Sequence, residues 1–222
     1  MKLKFGLTTA LLLACTTGCT PDCKTDHQYN NEHLQRLLTT KECQGCDLWH
    51  ADLSGMNLAN ANLRDADLVG ARLYTADLNG ADLNGARFQV FRSGNSIYNS
   101  CSDLKVEAYL ARANLNGVNL TRADLSGVDM GSTVLDRAVL REAKMSGVRL
   151  DYAQLNSADL KRAQLNGATF IEANLKGADF RGANLSGAKF NQSNLSGANL
   201  SGANLTGTDF SGAIMPDGKR HQ

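Results

Sequence analysis

The stretch Ala183-Asn184-Leu185-Ser186-Gly187 is one copy of a five-residue unit that this chain repeats from residue 46 almost to its end. A small residue, usually Ala, opens each unit, Asp or Asn follows, Leu or Phe comes third, and two small or polar residues close it. The central residues are Leu48, Leu53, Leu58, Leu63, Leu68, Leu73, Leu78, Leu83 and Phe88. After an interruption they resume as Leu115, Leu120, Leu125, Met130 and Leu135 and continue at the same spacing to Phe210 and Met215. Internal repetition at a fixed period outranks other sequence signals. A period of five fits neither the 3.6 of an α-helix nor the 2 of an ordinary strand. Two apolar positions flanking a polar one give the in-out-in alternation of a very short strand. The Ser-Gly, Asn-Gly and Lys-Gly pairs that follow are turn signals. A short strand and a turn, repeated, make a solenoid whose coils stack about 4.8 Å apart. Leu fills its interior, Ala leaves room for it, and stability is roughly a sum over neighbouring coils.

The A-(D/N)-L-x-x unit resembles the motif of the pentapeptide-repeat family. The resemblance implies an all-β fold, a right-handed quadrilateral β-helix in which four pentapeptides make one square coil. On that geometry Phe170, Phe190 and Phe210 stack on one side, with Met130 and Leu150 continuing the column. Their partners at the Ala position are Val128, Val148, Ala168, Ala188 and Thr208, the larger ones beside Met or Leu and the smaller ones beside Phe. That is volume compensation in a packed layer. A cofactor-binding aromatic stripe is the alternative for these rings; core packing is sufficient, and no cofactor is expected.

Between Phe88 and Leu115 the repeat changes phase, which makes residues 89–112 either an irregular coil or an insertion. In the first reading Ser93, Tyr98, Leu104 and Leu110 are central residues of a degenerate coil with bulges near Cys101 and Glu107, and Phe88 joins the column of the other three Phe residues. In the second a loop is inserted, with a short helix near Ser102-Asp103-Leu104. The degenerate coil is the expectation carried by the spacing.

Residues 1–45 differ in kind. Lys2 and Lys4 precede an apolar run from Phe5 to Ala14, the pattern of a secretory signal over residues 1–14, too short for a permanent membrane span. Leu12-Leu13-Ala14-Cys15 resembles the bacterial lipobox, which implies lipid attachment at Cys15, with Cys19 as the alternative. Thr16 is not the Asp of an inner-membrane retention signal, so the resemblance implies a periplasmic protein on the outer membrane. Residues 15–29 are polar and read as a tether. Residues 30–45 hold a short amphipathic helix that caps the solenoid, with Asn30 as N-cap and Leu34, Leu37 and Leu38 on one face. A capped end keeps the first coil from presenting bare strand edges. The repeats span 46–217 and a polar tail 218–222 follows. No helix follows Met215, so Pro216 and the tail, or a partner, must close the far end.

If Cys15 carries lipid, Cys19, Cys23, Cys43, Cys46 and Cys101 remain, an odd number that cannot all pair within one chain. Cys43 and Cys46, where cap meets first coil, are a candidate disulfide or two buried thiols; a thioredoxin-like site would need a βαβ context, and a zinc site further ligands beside His50. No metal constellation appears among His27, His33, His50 and His221. The Asp residues occupy a position where Asn replaces them freely, which is unlike general acid–base chemistry. Neither a G-x-S-x-G nor a phosphate-binding Gly loop is present. The chain reads as a non-enzyme.

Lys and Arg number 23 against 22 Asp and Glu, a formal net charge of +1. Some pentapeptide-repeat proteins imitate DNA and protect or inhibit gyrase; a sustained negative surface is required, and the middle coils lean basic, so no nucleic-acid-like role is expected. On the side after Leu115, Arg122, Arg141, Lys161, Arg162 and Arg181 form the candidate interaction stripe. The expected function is an exported, lipid-anchored scaffold for an unidentified protein or anionic envelope partner. A topoisomerase regulator and a periplasmic inhibitor or accessory of an enzyme are the alternatives, and the oligomeric state is open.

Overall fold

Most of the described repeats from Glu42 onward solve their backbone hydrogen bonding in the same way, and that solution sets the shape. The structure, a computed structural model, describes residues 29–88, 108 and 110–222. In each unit the central residue donates its N–H to the coil above, as Leu135 does to the Gln154 carbonyl at 2.6 Å. The second residue after it does the same, Arg137 N–H to the Asn156 carbonyl at 2.9 Å. The next N–H closes a turn onto the central carbonyl (Ala138 to Leu135, 3.0 Å), and the one after returns to the coil below (Val139 to Val118, 2.8 Å). Only the N–H just after the central residue is left over. It is taken by the side-chain oxygen of the Asp or Asn two residues earlier: Ser126 to Asp124 at 3.2 Å, Ser186 to Asn184 at 3.2 Å. An Asx turn of this kind needs one oxygen acceptor, which is why Asp and Asn interchange along the chain.

Parallel pairing joins residues twenty apart, for example Asn114 to Val134 to Gln154 to Asn174 to Asn194 to Ile214. Four sides result, each a column of central residues. Side 1 carries Leu53, Leu73, Leu110, Met130, Leu150, Phe170, Phe190 and Phe210. Side 2 runs from Leu58 through Leu115 to Met215, and side 3 from Leu63 through Leu120, Leu160 and Phe180 to Leu200. Side 4 carries Leu48, Leu68, Phe88, Leu125, Met145, Leu165, Leu185 and Leu205. Most of these side chains are wholly buried, and burying each Leu stabilises by about 1.5–3 kcal/mol.

The fifth position is left-handed whether or not it is Gly: Arg162 has φ 56° and Tyr152 φ 62°. At Gly85 a Cβ would stand 2.4 Å from the Asp65 carboxylate oxygen, so a side chain there would require Asp65 to turn aside.

In the aromatic column Phe170 stacks on Phe190 at 4.6 Å between centroids, and Phe190 on Phe210 at 5.2 Å. Phe180 of side 3 meets Phe170 and Phe190 edge-on, at 6.1 and 5.9 Å. Phe88 is not in this column. It belongs to side 4, between Leu68 and Leu125, because Arg87 pairs with Asp124.

The same pairing corrects the reading of residues 89–112. Asp77 pairs directly with Asn114 and Asp82 with Asn119, so no coil lies between them. Leu110 follows Phe88 on the very next side, and the intervening residues are an insertion rather than a degenerate coil. Ser93, Tyr98, Cys101 and Leu104 lie outside the described residues.

At the N-terminal end α1 (Asn31–Thr40) is capped by the Asn30 side chain, which accepts from Glu32 N–H at 2.9 Å and His33 N–H at 3.3 Å. Leu34 and Leu37 enter the core, whereas Leu38, expected beside them, is exposed. Coil pairing starts at Glu42 with Asn62, earlier than residue 46. At the other end the chain turns after Met215 and Arg220 pairs antiparallel with Ile214. Among the described residues no helix is long and apolar enough to cross a membrane. The expected signal segment, the tether up to residue 28 and Cys15, Cys19 and Cys23 lie outside them, whereas Tyr29, placed at the end of the tether, packs against the core.

Candidate interaction surface

Side 3 places the candidate stripe in line because Arg141, Lys161 and Arg181 follow the central residues Leu140, Leu160 and Phe180 of three successive coils. Asp159 turns one carboxylate oxygen to its own Lys161 N–H at 3.3 Å. Its other oxygen receives Arg141 Nε from the coil below at 2.7 Å and Lys161 Nζ at 3.4 Å. Asp179 repeats the arrangement one coil higher: Arg181 Nη2 reaches it at 2.7 Å and Lys161 Nζ at 3.2 Å. The Arg181 side-chain hydrogen bonds hold the Asp179 carboxyl well below the usual carboxylate range, and Asp179 in turn raises Arg181. The like charges of Arg141, Lys161 and Arg181 are therefore interleaved with two carboxylates, which removes the repulsion that stacked cations would suffer.

One column further on, Arg122 Nε contacts the Glu142 carboxylate at 3.0 Å. Arg162 continues that column, and among the described residues no hydrogen bond or ion pair engages its side chain, while its backbone N–H donates to the Arg181 carbonyl at 3.0 Å. Its aliphatic stem lies 3.6 Å from where a Cβ on Gly182 would stand, so the absence of a side chain there gives it room. A shallow depression is lined by Arg141, Glu142, Lys161 and Arg162. Five cations against three carboxylates leave the stripe positive, with Arg162 as its guanidinium not already paired among the described residues. Exposed ion pairs of this kind contribute little to folding, typically under about 1 kcal/mol. What they do is fix a pattern of charge on a straight edge.

The cap junction is the second cluster. Cys43 and Cys46 are joined by a disulfide with Cα atoms 5.2 Å apart. Arg36 Nη2 of α1 lies 2.9 Å from the Cys46 sulfur, and His33 Nδ1 accepts the Asp47 N–H at 3.0 Å. The spacing of Cys43 and Cys46 suggested the bridge; the Arg36 contact had no signal in the sequence. His50 lies edge-on to Trp49 at 4.7 Å, and burial lowers its pKa, with Arg72 adding to the effect. Among the described residues no group of three His, Cys, Asp or Glu is arranged to hold a metal ion.

A second device was missed. In two units whose Asx is replaced, an Asp in the coil below supplies the oxygen instead. Asn156 N–H, two residues after Gln154, donates to Asp136 at 2.7 Å, and Ile171 N–H, two after Thr169, donates to Asp151 at 3.0 Å. The signal is present, since Asp136 and Asp151 occupy the fourth position of their units, where Ser or Asn is commoner.

A family profile described as pentapeptide repeats matches residues 42–89 and 106–216 in overlapping segments. Among solved structures, HetL from the cyanobacterium Nostoc sp. strain PCC 7120, described as involved in heterocyst differentiation regulation, is 30% identical over 81% of this chain and 87% of its own, with a TM-score of 0.28. Rfr23 from the cyanobacterium Cyanothece 51142 is 24% identical over 80% of this chain and 92% of its own, TM-score 0.22. QnrB1, a plasmid-mediated fluoroquinolone resistance protein, is 18% identical over 71% of this chain and 90% of its own, TM-score 0.28. No curated protein matches the chain.

Proposed function

This chain belongs to the pentapeptide-repeat family, and we propose that it is a non-enzymatic, exported and lipid-anchored rod that engages an anionic partner along side 3. The observation that carries this reading is the excess of positive charge on the stripe, where Arg162 stands beside the paired ladder of Arg141, Lys161 and Arg181. Most carboxylates of the described repeats are occupied in turns and ion pairs, as Asp159 and Asp179 are, which suits a scaffold. Export and anchoring rest on Lys2, Lys4, the apolar run to Ala14 and Cys15; Cys19 is the second choice. The partner is an acidic protein face or an anionic envelope polymer, drawn to a stripe of fixed charge. A DNA-like regulator of a topoisomerase would need the opposite sign on this surface.

Two measurements test the two halves of the proposal. Mass spectrometry of the membrane fraction should find an N-terminal diacylglyceryl cysteine at Cys15, and Cys15→Ala should abolish it; an unlipidated mature chain refutes anchoring. Crosslinking in intact cells, followed by pull-down at graded salt, should show a partner lost by Arg162→Glu and retained by Arg162→Lys. An interaction indifferent to both Arg162→Glu and salt removes the stripe from the function. Arg141, Lys161 and Arg181 are poorer targets, because reversing them would set carboxylates against Asp159 and Asp179.

A further inference from the structure

We infer that the depression on side 3 binds a phosphomonoester group, which Glu142 selects over sulfate and carboxylate; the inference rests on the reading of side 3 as the interaction surface. Arg141, Glu142, Lys161 and Arg162 line the depression. They come from two stacked coils, about 4.8 Å apart. Arg141 and Glu142 hold the fourth and fifth positions of one unit, and Lys161 and Arg162 hold the same positions one coil higher. Three cations and one carboxylate therefore share a single small concavity.

The cations differ in how much of each is already engaged. Lys161 Nζ is shared between Asp159 and Asp179, at 3.4 and 3.2 Å. Arg141 reaches Asp159 through Nε at 2.7 Å, and its two terminal nitrogens make no hydrogen bond among the described residues. The Arg162 guanidinium has no partner among them at all, and its stem has room because Gly182 follows it in the column. Two guanidinium groups are thus available to one tetrahedral oxyanion, a shape that Arg grips with paired N–H donors.

Glu142 decides which oxyanion fits. Its Oε2 accepts from Arg122 Nε at 3.0 Å, and its Oε1 makes no hydrogen bond among the described residues. A carboxylate on the wall of an anion site repels any ligand that is fully deprotonated, as sulfate esters and carboxylates are at neutral pH. A phosphomonoester differs, because its second pKa is near about 6. It keeps one P–OH, donates that hydrogen to Glu142 Oε1 and still presents charged oxygens to Arg141 and Arg162. The proton stays on the phosphoryl group, and no covalent bond changes. Attraction by charge alone would be stronger with a neutral residue at position 142. Glu142 gives up part of that attraction and gains discrimination between anions.

The test titrates the full chain in detergent solution, at about pH 6, with phenyl phosphate and phenyl sulfate, of which only the first can carry that proton. Calorimetry should show phenyl phosphate bound at least about tenfold more tightly, the worth of one charge-assisted hydrogen bond. Glu142→Gln should bring the two ligands within about twofold, chiefly by admitting phenyl sulfate, because an amide donates where a carboxylate cannot. Such a gain of ligand does not arise from misfolding. Arg162→Gln should weaken both by at least about tenfold. Two soluble lipids identify the source of the group. Dihexanoyl phosphatidic acid is a monoester; dihexanoyl phosphatidylglycerol is a diester without the second proton and should bind as weakly as phenyl sulfate. A preference for the phosphatidic acid over phenyl phosphate assigns the site to a lipid headgroup, and equal affinity assigns it to a soluble or polymer-borne phosphomonoester. Equal binding of phenyl phosphate and phenyl sulfate by the unaltered chain, or phosphate binding that survives Arg162→Gln, overturns the inference. So does an absence of phosphate binding; if Arg162→Glu still releases the crosslinked partner in that case, side 3 remains the interaction surface and only the phosphoryl assignment falls.

Discussion

The Asn156 amide donates to the Asp136 carboxylate at 2.7 Å between adjacent coils, and the Asn156 side-chain nitrogen donates to the same oxygen at 2.8 Å. Gln154 occupies the position from which Asp or Asn would normally serve that amide. Its longer side chain is used upward instead, accepting from Asn174 at 3.1 Å. Asp136→Ala therefore leaves a half-buried N–H without its acceptor and should destabilise the chain by about 1–3 kcal/mol. The double variant Asp136→Ala/Gln154→Asn should recover most of that loss, because the shorter amide side chain rebuilds the local Asx turn. Chemical denaturation of the four combinations checks the coupling.

Phe190 sits between two stacked rings and against the edge of Phe180, so Phe190→Ala should open a cavity and cost about 3–5 kcal/mol. Phe190→Leu should cost far less, about 1 kcal/mol, because Leu150 already fills the same column two coils below. Asn191 points outward but its amide donates to Asp209 at 2.7 Å, so Asn191→Ala should cost no more than about 1 kcal/mol. Equal losses for Phe190→Ala and Asn191→Ala in thermal unfolding would invert the inside and outside of side 1.

The Ser211 hydroxyl, with the Ser211 N–H and Asn191 adding to it, lowers the Asp209 carboxyl from the ordinary 3.8 to about 2. A folded value below the unfolded one means that the charged form stabilises the fold. That stabilisation is complete above the unfolded value and disappears as the pH falls from 3.8 towards about 2. Asp209→Asn keeps the turn acceptor and removes the titration, so its unfolding midpoint should change less across this window. Acid titration of both proteins, with amide exchange near Ser211 as a local probe, provides the measurement.

Reduction of Cys43–Cys46 opens only a tight loop, for which the chain-entropy model gives about 2 kcal/mol. In a solenoid that loss stays local. Cys43→Ser/Cys46→Ser should accelerate amide exchange in α1 and in the coil that starts at Glu42, while the Phe170–Phe190 region exchanges as before. A uniform increase along the rod would contradict nearest-neighbour stability.

Period, inward residue and turn were all legible in the sequence, because Leu, Asx and Gly answer to separate physical demands that recur every five residues. The insertion was not legible. The spacing from Phe88 to Leu110 suits one bulged coil as well as one side with an inserted loop, and only the pairing of Asp77 with Asn114 separates them. Misassigning it also put Phe88 in the wrong column. On side 3 the five cations could be named in order, but which of them is left over depends on side-chain reach. Asp159 and Asp179 lean toward Arg141, Lys161 and Arg181 and leave Arg162 aside.

Phe88 and Leu110 occupy consecutive sides although a long segment separates them in the chain, and the coils above and below keep their register. A corner of this rod is therefore a graft point. Polypeptide can be spliced in there without renumbering a single stacking partner, since the ladder counts sides and not residues. A family built this way can acquire a new recognition loop in one genetic step, at an address chosen by which of the four faces it must watch.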